Sequence, residues 1–129
     1  MQITLSSILV EDQDRALDFY TNKLGFEKKN DIPMGEFRWL TVISPEGAHG
    51  VELVLEPMAF APARTYQKAL FDAGIPCTAF MSKDLLSEYA RLKEVGVKFR
   101  SEPMNMGQIM TVIFEDGCGN LINLVQLVV

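Results

Sequence analysis

Apolar and polar positions follow two different periods along this chain of 129 residues. In GVELVLEP (residues 50–57), Val51, Leu53 and Leu55 alternate with Glu52, Val54 and Glu56. This period of two predicts a strand with one apolar face. In QDRALDFYTNKLGF (13–26) and LLSEYARLKEVG (85–96) the apolar residues instead recur at helical spacing, which predicts two amphipathic helices.

The same order of elements is predicted twice. Each half reads strand, helix, strand, strand, strand. The first half has strands near 2–10, 26–31, 37–43 and 50–56 and a helix near 13–24. The second half has strands near 76–82, 97–101, 107–115 and 120–128 and a helix near 84–95. Residues 58–74 join the halves and contain one short predicted helix.

Landmarks in the two halves are separated by nearly constant offsets, which indicates an internal duplication. Asp12, a predicted helix N-cap, lies 72 residues before Asp84, and Gly25 lies 71 residues before Gly96. TVISPEG (41–47) resembles TVIFEDG (111–117). We therefore predict one α+β domain over 1–129, with module one at 1–57, a linker at 58–74 and module two at 75–129. The two βαβββ modules are expected to form a concave, mixed and mostly antiparallel sheet.

Composition and charge exclude several classes of protein. Hydrophobic residues make up 48% and charged residues 22% of the chain, as in a globular protein. The net charge of −5 argues against binding to nucleic acid, which requires a basic patch. The apolar runs are too short to span a membrane, and the first residues already follow a strand pattern. We therefore expect a cytoplasmic protein with no nucleic-acid or membrane partner.

Two motifs are similar to those of the vicinal oxygen chelate superfamily. V-E-D-x-x-x-A-L-D-F-Y-x-x-x-L-G-F (10–26) resembles its first-module signature, and F-E-D-G-x-G-N-L-I-N-L-V-Q (114–126) resembles its closing hairpin. This group includes glyoxalase I, bleomycin-resistance proteins and extradiol dioxygenases. The resemblance covers nearly the whole chain and implies the duplicated βαβββ fold, but one fold of this kind hosts several functions.

The resemblance also implies four positions where metal-dependent members carry ligands, mostly His and Glu. These positions are Leu5, Glu52, Cys77 and Asn123 in this sequence. Only Glu52 matches, and the single histidine, His49, lies elsewhere. Leucine cannot coordinate a metal, and catalytic zinc usually has three protein ligands. We therefore predict no cofactor, and a divalent metal is the alternative.

Glu52 is the candidate catalytic residue. A carboxylate in a partly enclosed trough could act as a general base, or it could be a relic that is hydrogen-bonded to water or a neighbour. Cys77 could be a nucleophile, although a buried cysteine more often packs as a small apolar residue. The predicted trough also includes Leu5, Ser7 and Asn123.

Three further residues complete the predicted trough. Arg38 and Trp39 are adjacent on one strand, so only one of them is expected to face it. Arg38 could bind an anionic group or lie at the rim, and Trp39 could stack on a flat ligand or lie in the core. Met110 could line an adaptable pocket wall or fill a gap at a dimer contact.

Three functions are compatible with these residues. The loss of ligand positions favours a protein that binds a small organic molecule without a catalytic metal. The alternatives are a metal-dependent lyase or isomerase of the glyoxalase I type and an extradiol-type dioxygenase. The resemblance also implies a homodimer.

Overall fold

The structure is a computed structural model that describes residues 1–128. These residues form two compact units. The first unit is Met1–Tyr66, and the second begins at Gln67. The strands are β1 (Leu5–Val10), β2 (Glu27–Met34), β3 (Phe37–Ile43), β4 (Glu52–Pro57), β5 (Thr78–Met81), β6 (Lys98–Phe99), β7 (Met104–Asn105), β8 (Ile109–Glu115) and β9 (Leu121–Leu127). The α-helices are α1 (Gln13–Asp18), α2 (Ala61–Asp72) and α3 (Leu85–Glu94).

The first unit contains a four-stranded sheet in the order β1-β4-β3-β2. β1 runs parallel to β4, and the other neighbours are antiparallel. Asp12 caps α1, because its side chain accepts a hydrogen bond from the amide of Arg15. The helix continues as a π-helical turn over Phe19–Lys23, and Gly25 follows at a φ of 85°. The predicted helix start and stop are thus confirmed.

One face of this sheet forms the core of the first unit together with the helical segment. Its largest fully buried side chain is Tyr20, and Val10, Leu40, Val42 and Leu55 are also inaccessible to solvent. Side chains alternate between the two faces of a sheet along each strand, and this alternation puts the strand residues Val10, Leu40, Val42 and Leu55 on the same face. The opposite face is therefore the one on which Glu52 lies.

Gln13 joins β3 to β4 at the end where their backbone pairing stops. Its amide nitrogen donates to the carbonyl oxygens of Arg38, at 2.8 Å, and Leu55, at 3.0 Å. Its amide oxygen accepts from the backbone N–H of Arg38 at 3.1 Å. The side chain thus satisfies backbone groups that would otherwise lack partners between the two strands.

The second unit repeats this arrangement with one change. Its sheet has the order β5-β9-β8-β6, with β7 also paired to β8. β5 is parallel to β9, as β1 is to β4. The second strand of the repeat is divided into the short β6 and β7, and both pair with β8. Asp84 caps α3 by accepting from the amide and the hydroxyl of Ser87.

A network of buried polar groups fixes the turn between β8 and β9. The carboxylate of Asp116, which is fully buried, accepts from the backbone N–H groups of Cys118 and Asn120 and from the Asn120 side chain. Gln67 donates to the carbonyl of Cys118 and the side-chain oxygen of Asn120. Gly119 has a φ of +94°, and a Cβ there would lie 2.7 Å from Oε1 of Gln67.

The predicted α+β fold with two βαβββ modules is confirmed. The segment between the modules forms α2, a helix of 12 residues, where only a short helix was expected. No helix within residues 1–128 has the length and apolar character needed to cross a membrane.

Candidate functional site

Glu52, at the start of β4, is held by two side chains on neighbouring strands. Its Oε1 accepts from the hydroxyl of Thr41 at 2.7 Å and from the side-chain amide of Asn30 at 2.8 Å. Thr41 is fully buried, whereas Glu52 is half-buried. Within residues 1–128, no hydrogen bond reaches Oε2 and no cation pairs with this carboxylate. Glu52 is therefore oriented on one side and available on the other.

Strand register places Glu52 among apolar side chains. Leu5 of β1 is its direct neighbour in the parallel pairing, and Ser7 lies beside Val54. Further across the same face of the sheet, Trp39 of β3 pairs with Ile32 of β2. We call this surface the Glu52 face; its members are Leu5, Ser7, Asn30, Ile32, Trp39, Thr41, Glu52 and Val54.

The Glu52 face is accessible at several of its apolar positions. Leu5 is 47% exposed and Ile32 is 52% exposed, and Trp39 is half-buried. By contrast, Leu55 and Leu40, on the opposite face, are fully buried. Exposed apolar side chains around one fixed carboxylate are typical of a small-molecule site, where few polar groups set orientation.

The second unit has a counterpart of the Glu52 pair. The hydroxyl of Thr111 on β8 donates to the side-chain oxygen of Asn123 on β9. Thr111 stands opposite Val125 just as Thr41 stands opposite Val54. The duplication thus extends to one side-chain hydrogen bond, with a neutral amide in place of the carboxylate.

Cys77 does not lie beside Asn123. The residue paired with Asn123 across β5 and β9 is Ala79, and Cys77 precedes the strand and donates its amide to the carbonyl of Leu121. The sequence repeat matched Leu5 with Cys77, whereas the strand pairing matches Leu5 with Ala79, which is two residues further along the chain. Burial of the sulfur, with a smaller contribution from the charge of Asp116, raises the pKa of Cys77 to about 11. At neutral pH the side chain is a thiol, although part of the residue is exposed.

Two of the predicted trough residues lie on the opposite faces of their sheets. Arg38 precedes Trp39 on β3, so alternation turns it away from Glu52. Met110 precedes Thr111 on β8 and is turned away from Asn123 in the same manner. One of Arg38 and Trp39 was expected to face the trough, and the register places Trp39 on the same face as Glu52. Met110, also expected in the trough, lies on the face away from Asn123.

The guanidinium of Arg38 is already occupied by protein carboxylates. It donates to both oxygens of Asp31, at 3.0 and 3.1 Å, and to Asp14. The hydrogen bond from Arg38, reinforced by its charge, holds the pKa of Asp31 below its ordinary value. Arg38 is therefore poorly placed to bind an anionic ligand.

A cleft of about 310 Å³ adjoins Arg38 in the first unit. It lies where β3 and β4 separate, beside the side chain of Gln13. Its lining is Val10, Glu11, Asp12, Gln13, Asp14, Glu36, Phe37, Arg38, Pro57, Met58 and Arg64. The lining carries four acidic and two basic residues, so the cleft has a net negative charge.

The residues at the implied metal-ligand positions do not fit a divalent cation. Leu5, beside Glu52, has no donor atom, so it cannot share a cation with that carboxylate. Cys77 is protonated at neutral pH, and the side-chain oxygen of Asn123 accepts from Thr111. Among residues 1–128, no group of three or more His, Cys, Asp or Glu side chains could hold a metal ion.

Sequence reasoning missed the side chains that orient Glu52. Thr41 and Thr111 begin the repeated TVI motif, and their polarity within apolar strands was the available signal. Asn30 gave no such signal, because a bulge between Lys28 and Asn30 shifts the register of β2. A bulge changes which face a residue occupies, and alternation alone does not reveal it.

Comparison with known proteins shows which family this chain is similar to. The model of the Glyoxalase/Bleomycin resistance protein/Dioxygenase superfamily matches residues 2–124. The chain is 53% identical over 126 residues to the uncharacterized protein YurT of Bacillus subtilis (strain 168), covering 98% of this chain and 99% of that protein.

Two solved structures are similar over almost their full length. The crystal structure of UcmS2 has a TM-score of 0.82 and 32% identity, covering 97% of each chain. TnmS3, an antibiotic binding protein from Streptomyces sp. CB03234, has a TM-score of 0.74 and 31% identity, covering 98% of this chain and 96% of that one.

Proposed function

The chain belongs to the Glyoxalase/Bleomycin resistance protein/Dioxygenase superfamily, and we propose that it binds a small organic molecule without a catalytic metal. The observation that carries this proposal is the setting of Glu52. The one family ligand position that keeps its residue has a hydrophobic neighbour, Leu5, and is tied by hydrogen bonds to Thr41 and Asn30. Because Leu5 offers no second metal-ligating atom beside it, this carboxylate suits recognition of an organic ligand better than coordination of an ion.

The Glu52 face supplies the surface for such a ligand. Leu5, Ile32 and Trp39 offer apolar contact, and Glu52 and Ser7 offer polar groups that could set its orientation. The similarity to TnmS3, an antibiotic binding protein, supports a binding role. A metal-dependent lyase or isomerase is disfavoured, because the donors that such an enzyme needs are lacking at the positions the resemblance implies.

Metal analysis combined with thermal-shift screening tests the proposal. Protein purified without chelator should carry far less than one equivalent of any divalent metal, and its melting temperature should not rise with Zn²⁺, Ni²⁺, Mn²⁺ or Fe²⁺. A bound organic ligand at about 100 times its Kd should stabilise the fold by about 2.7 kcal/mol. A stoichiometric, tightly held metal that is lost on replacing Glu52 with Gln would overturn the proposal.

We also propose that the chain forms a homodimer, as the resemblance implies. Exposed apolar side chains on the second unit support this: Met81, Met104, Met106 and Leu127. Apolar groups at the surface often mark protein interfaces. Sedimentation velocity should give a species of twice the chain mass, and a monomer at all concentrations would reject it.

A further inference from the structure

We propose that the ligand of the Glu52 face is a flat, apolar cation, bound by Oε2 of Glu52 through a protonated nitrogen. This inference rests on the proposed binding function and adds the charge and shape of the guest. Three observations carry it: the free oxygen of Glu52, the charges around it, and the position of Trp39.

The second oxygen of Glu52, Oε2, is available to accept a hydrogen bond from a ligand. Thr41 and Asn30 both donate to Oε1, which fixes the plane of the carboxylate and leaves Oε2 open. Neither donor carries a positive charge. A half-buried carboxylate that lacks an ionic partner has lost part of its hydration, so a cationic donor is the partner that restores most of the lost free energy.

The charges near Glu52 also favour a cation. The only other titratable group that alternation places on the same face of β4 is Glu56, which is also acidic. The nearest arginine on β3, Arg38, lies on the opposite face and is bound to Asp31 and Asp14. An anionic ligand on the Glu52 face would therefore meet like charge and no compensating cation.

The shape of the guest follows from the spacing along β3. Trp39 precedes Thr41 by two residues on the same face, so their Cα atoms are about 7 Å apart along β3. Within residues 1–128 the indole has no stacking contact with another aromatic side chain. Two or three fused rings would reach from Glu52 to Trp39 and Ile32, and cation–π and stacking contacts would add to the binding.

Three tricyclic probes test the charge requirement: 9-aminoacridine, a cation at neutral pH; acridine, its largely neutral analogue; and 9-anthracenecarboxylate, an anion. Trp39 is the single tryptophan of the chain, so quenching of its fluorescence reports binding, and calorimetry gives the Kd. We expect 9-aminoacridine to bind roughly ten- to a hundredfold more tightly than acridine, as for a hydrogen bond to a charged group. The anion should bind most weakly.

Two substitutions distinguish the residue responsible. Glu52→Gln keeps the shape and the contacts to Thr41 and Asn30, and it should make the affinities for the cation and acridine equal. Glu56→Gln, the matched control four residues further along the same strand, removes a more distant and better screened charge, so it should weaken the cation's binding only about twofold, far less than Glu52→Gln. If Glu52→Gln does not fold, the salt dependence of the wild-type protein decides, because only the cation's affinity should fall steeply with ionic strength.

The outcomes separate this inference from the proposed function. Equal binding of the cationic and neutral probes to the wild-type protein, with no salt dependence, would reject the charge requirement and leave the binding face intact. Binding of none of the three probes would reject the Glu52 face as a binding surface and the inference with it.

Discussion

The hydroxyl of Thr41 lies 2.7 Å from Oε1 of Glu52, and Thr111 makes the equivalent hydrogen bond to Asn123 in the second unit. The two threonines stand at matching positions of β3 and β8, and their partners stand at matching positions of β4 and β9. The duplicated halves therefore share a scaffold of side-chain hydrogen bonds but differ in charge at the accepting residue. Of the two accepting residues, the one in the first unit, Glu52, is the acidic one.

Replacing Thr41 with Val should lower the free energy of unfolding by about 1–3 kcal/mol, because the buried hydroxyl bonds to a charged group. Valine has the same shape, so packing is preserved. Urea denaturation followed by circular dichroism measures the change. Thr78→Val, an exposed strand position, is the control and should change stability by less than about 0.5 kcal/mol. Equal midpoints for the two variants would contradict the role of Thr41.

Replacing Gly119 with Ala should destabilise the protein more than the same change at Gly117. Both glycines have positive φ, so both variants incur about 1–2 kcal/mol of backbone strain. Only at Gly119 would the new Cβ lie 2.7 Å from Gln67, which adds roughly 1 kcal/mol or more of steric cost. Thermal and urea unfolding measure both. In a Gln67→Ala background the two glycine variants should become similar, and a persistent difference would exclude the clash.

Replacing Arg38 with Gln should raise the pKa of Asp31 toward its ordinary value, because the hydrogen bond from Arg38 is the main cause of the depression. A depressed pKa stabilises the fold above the ordinary aspartate value, and this contribution is lost as the pH falls through the lower folded value. Carboxyl chemical shifts in an NMR titration measure the change. Lys28→Gln should give a smaller shift, since Lys28 contributes less. An unchanged titration in the Arg38 variant would refute the pairing.

Cys77 should react slowly with iodoacetamide. A pKa of about 11 leaves little thiolate at pH 8, so the rate should be about two orders of magnitude below that of an ordinary cysteine, with a pKa near 8.5. Mass spectrometry of the modified peptide separates Cys77 from the buried Cys118. The same peptide in urea-unfolded protein provides the reference rate. Comparable rates in the folded and unfolded protein would show that the thiol is not perturbed.

Periodicity was sufficient to predict the fold and the orientation of Glu52. Alternation around Leu53 and Leu55 assigned Glu52 to the face away from the helix, and the buried Leu55 of the structure agrees. The caps and glycine stops also followed from local chemistry, because Asp12 and Gly25 act through neighbouring backbone atoms. These features depend on short-range geometry that the sequence specifies directly.

The remaining features depend on register between distant strands. Asn30 reaches Glu52 only because β2 contains a bulge, and Gln13 joins β3 to β4 only where their pairing ends. The faces of Arg38 and Met110 follow from pairings that the sequence alone left open. A change of one residue in register reverses every side chain of a strand, so site composition is harder to predict than fold.

The pairing of Leu5 with Glu52 but of Ala79 with Asn123 has a consequence for engineering. Relative to the sequence repeat, β5 is shifted by two residues along its sheet compared with β1. Residues that correspond in the repeat therefore do not occupy corresponding positions in the two sheets. A chimera that exchanges β1 and β5 by aligning the helix caps would misplace each transplanted side chain by about 7 Å. Aligning instead on the central strands, at Ser7 and Met81, would keep every transplanted residue beside its intended neighbour.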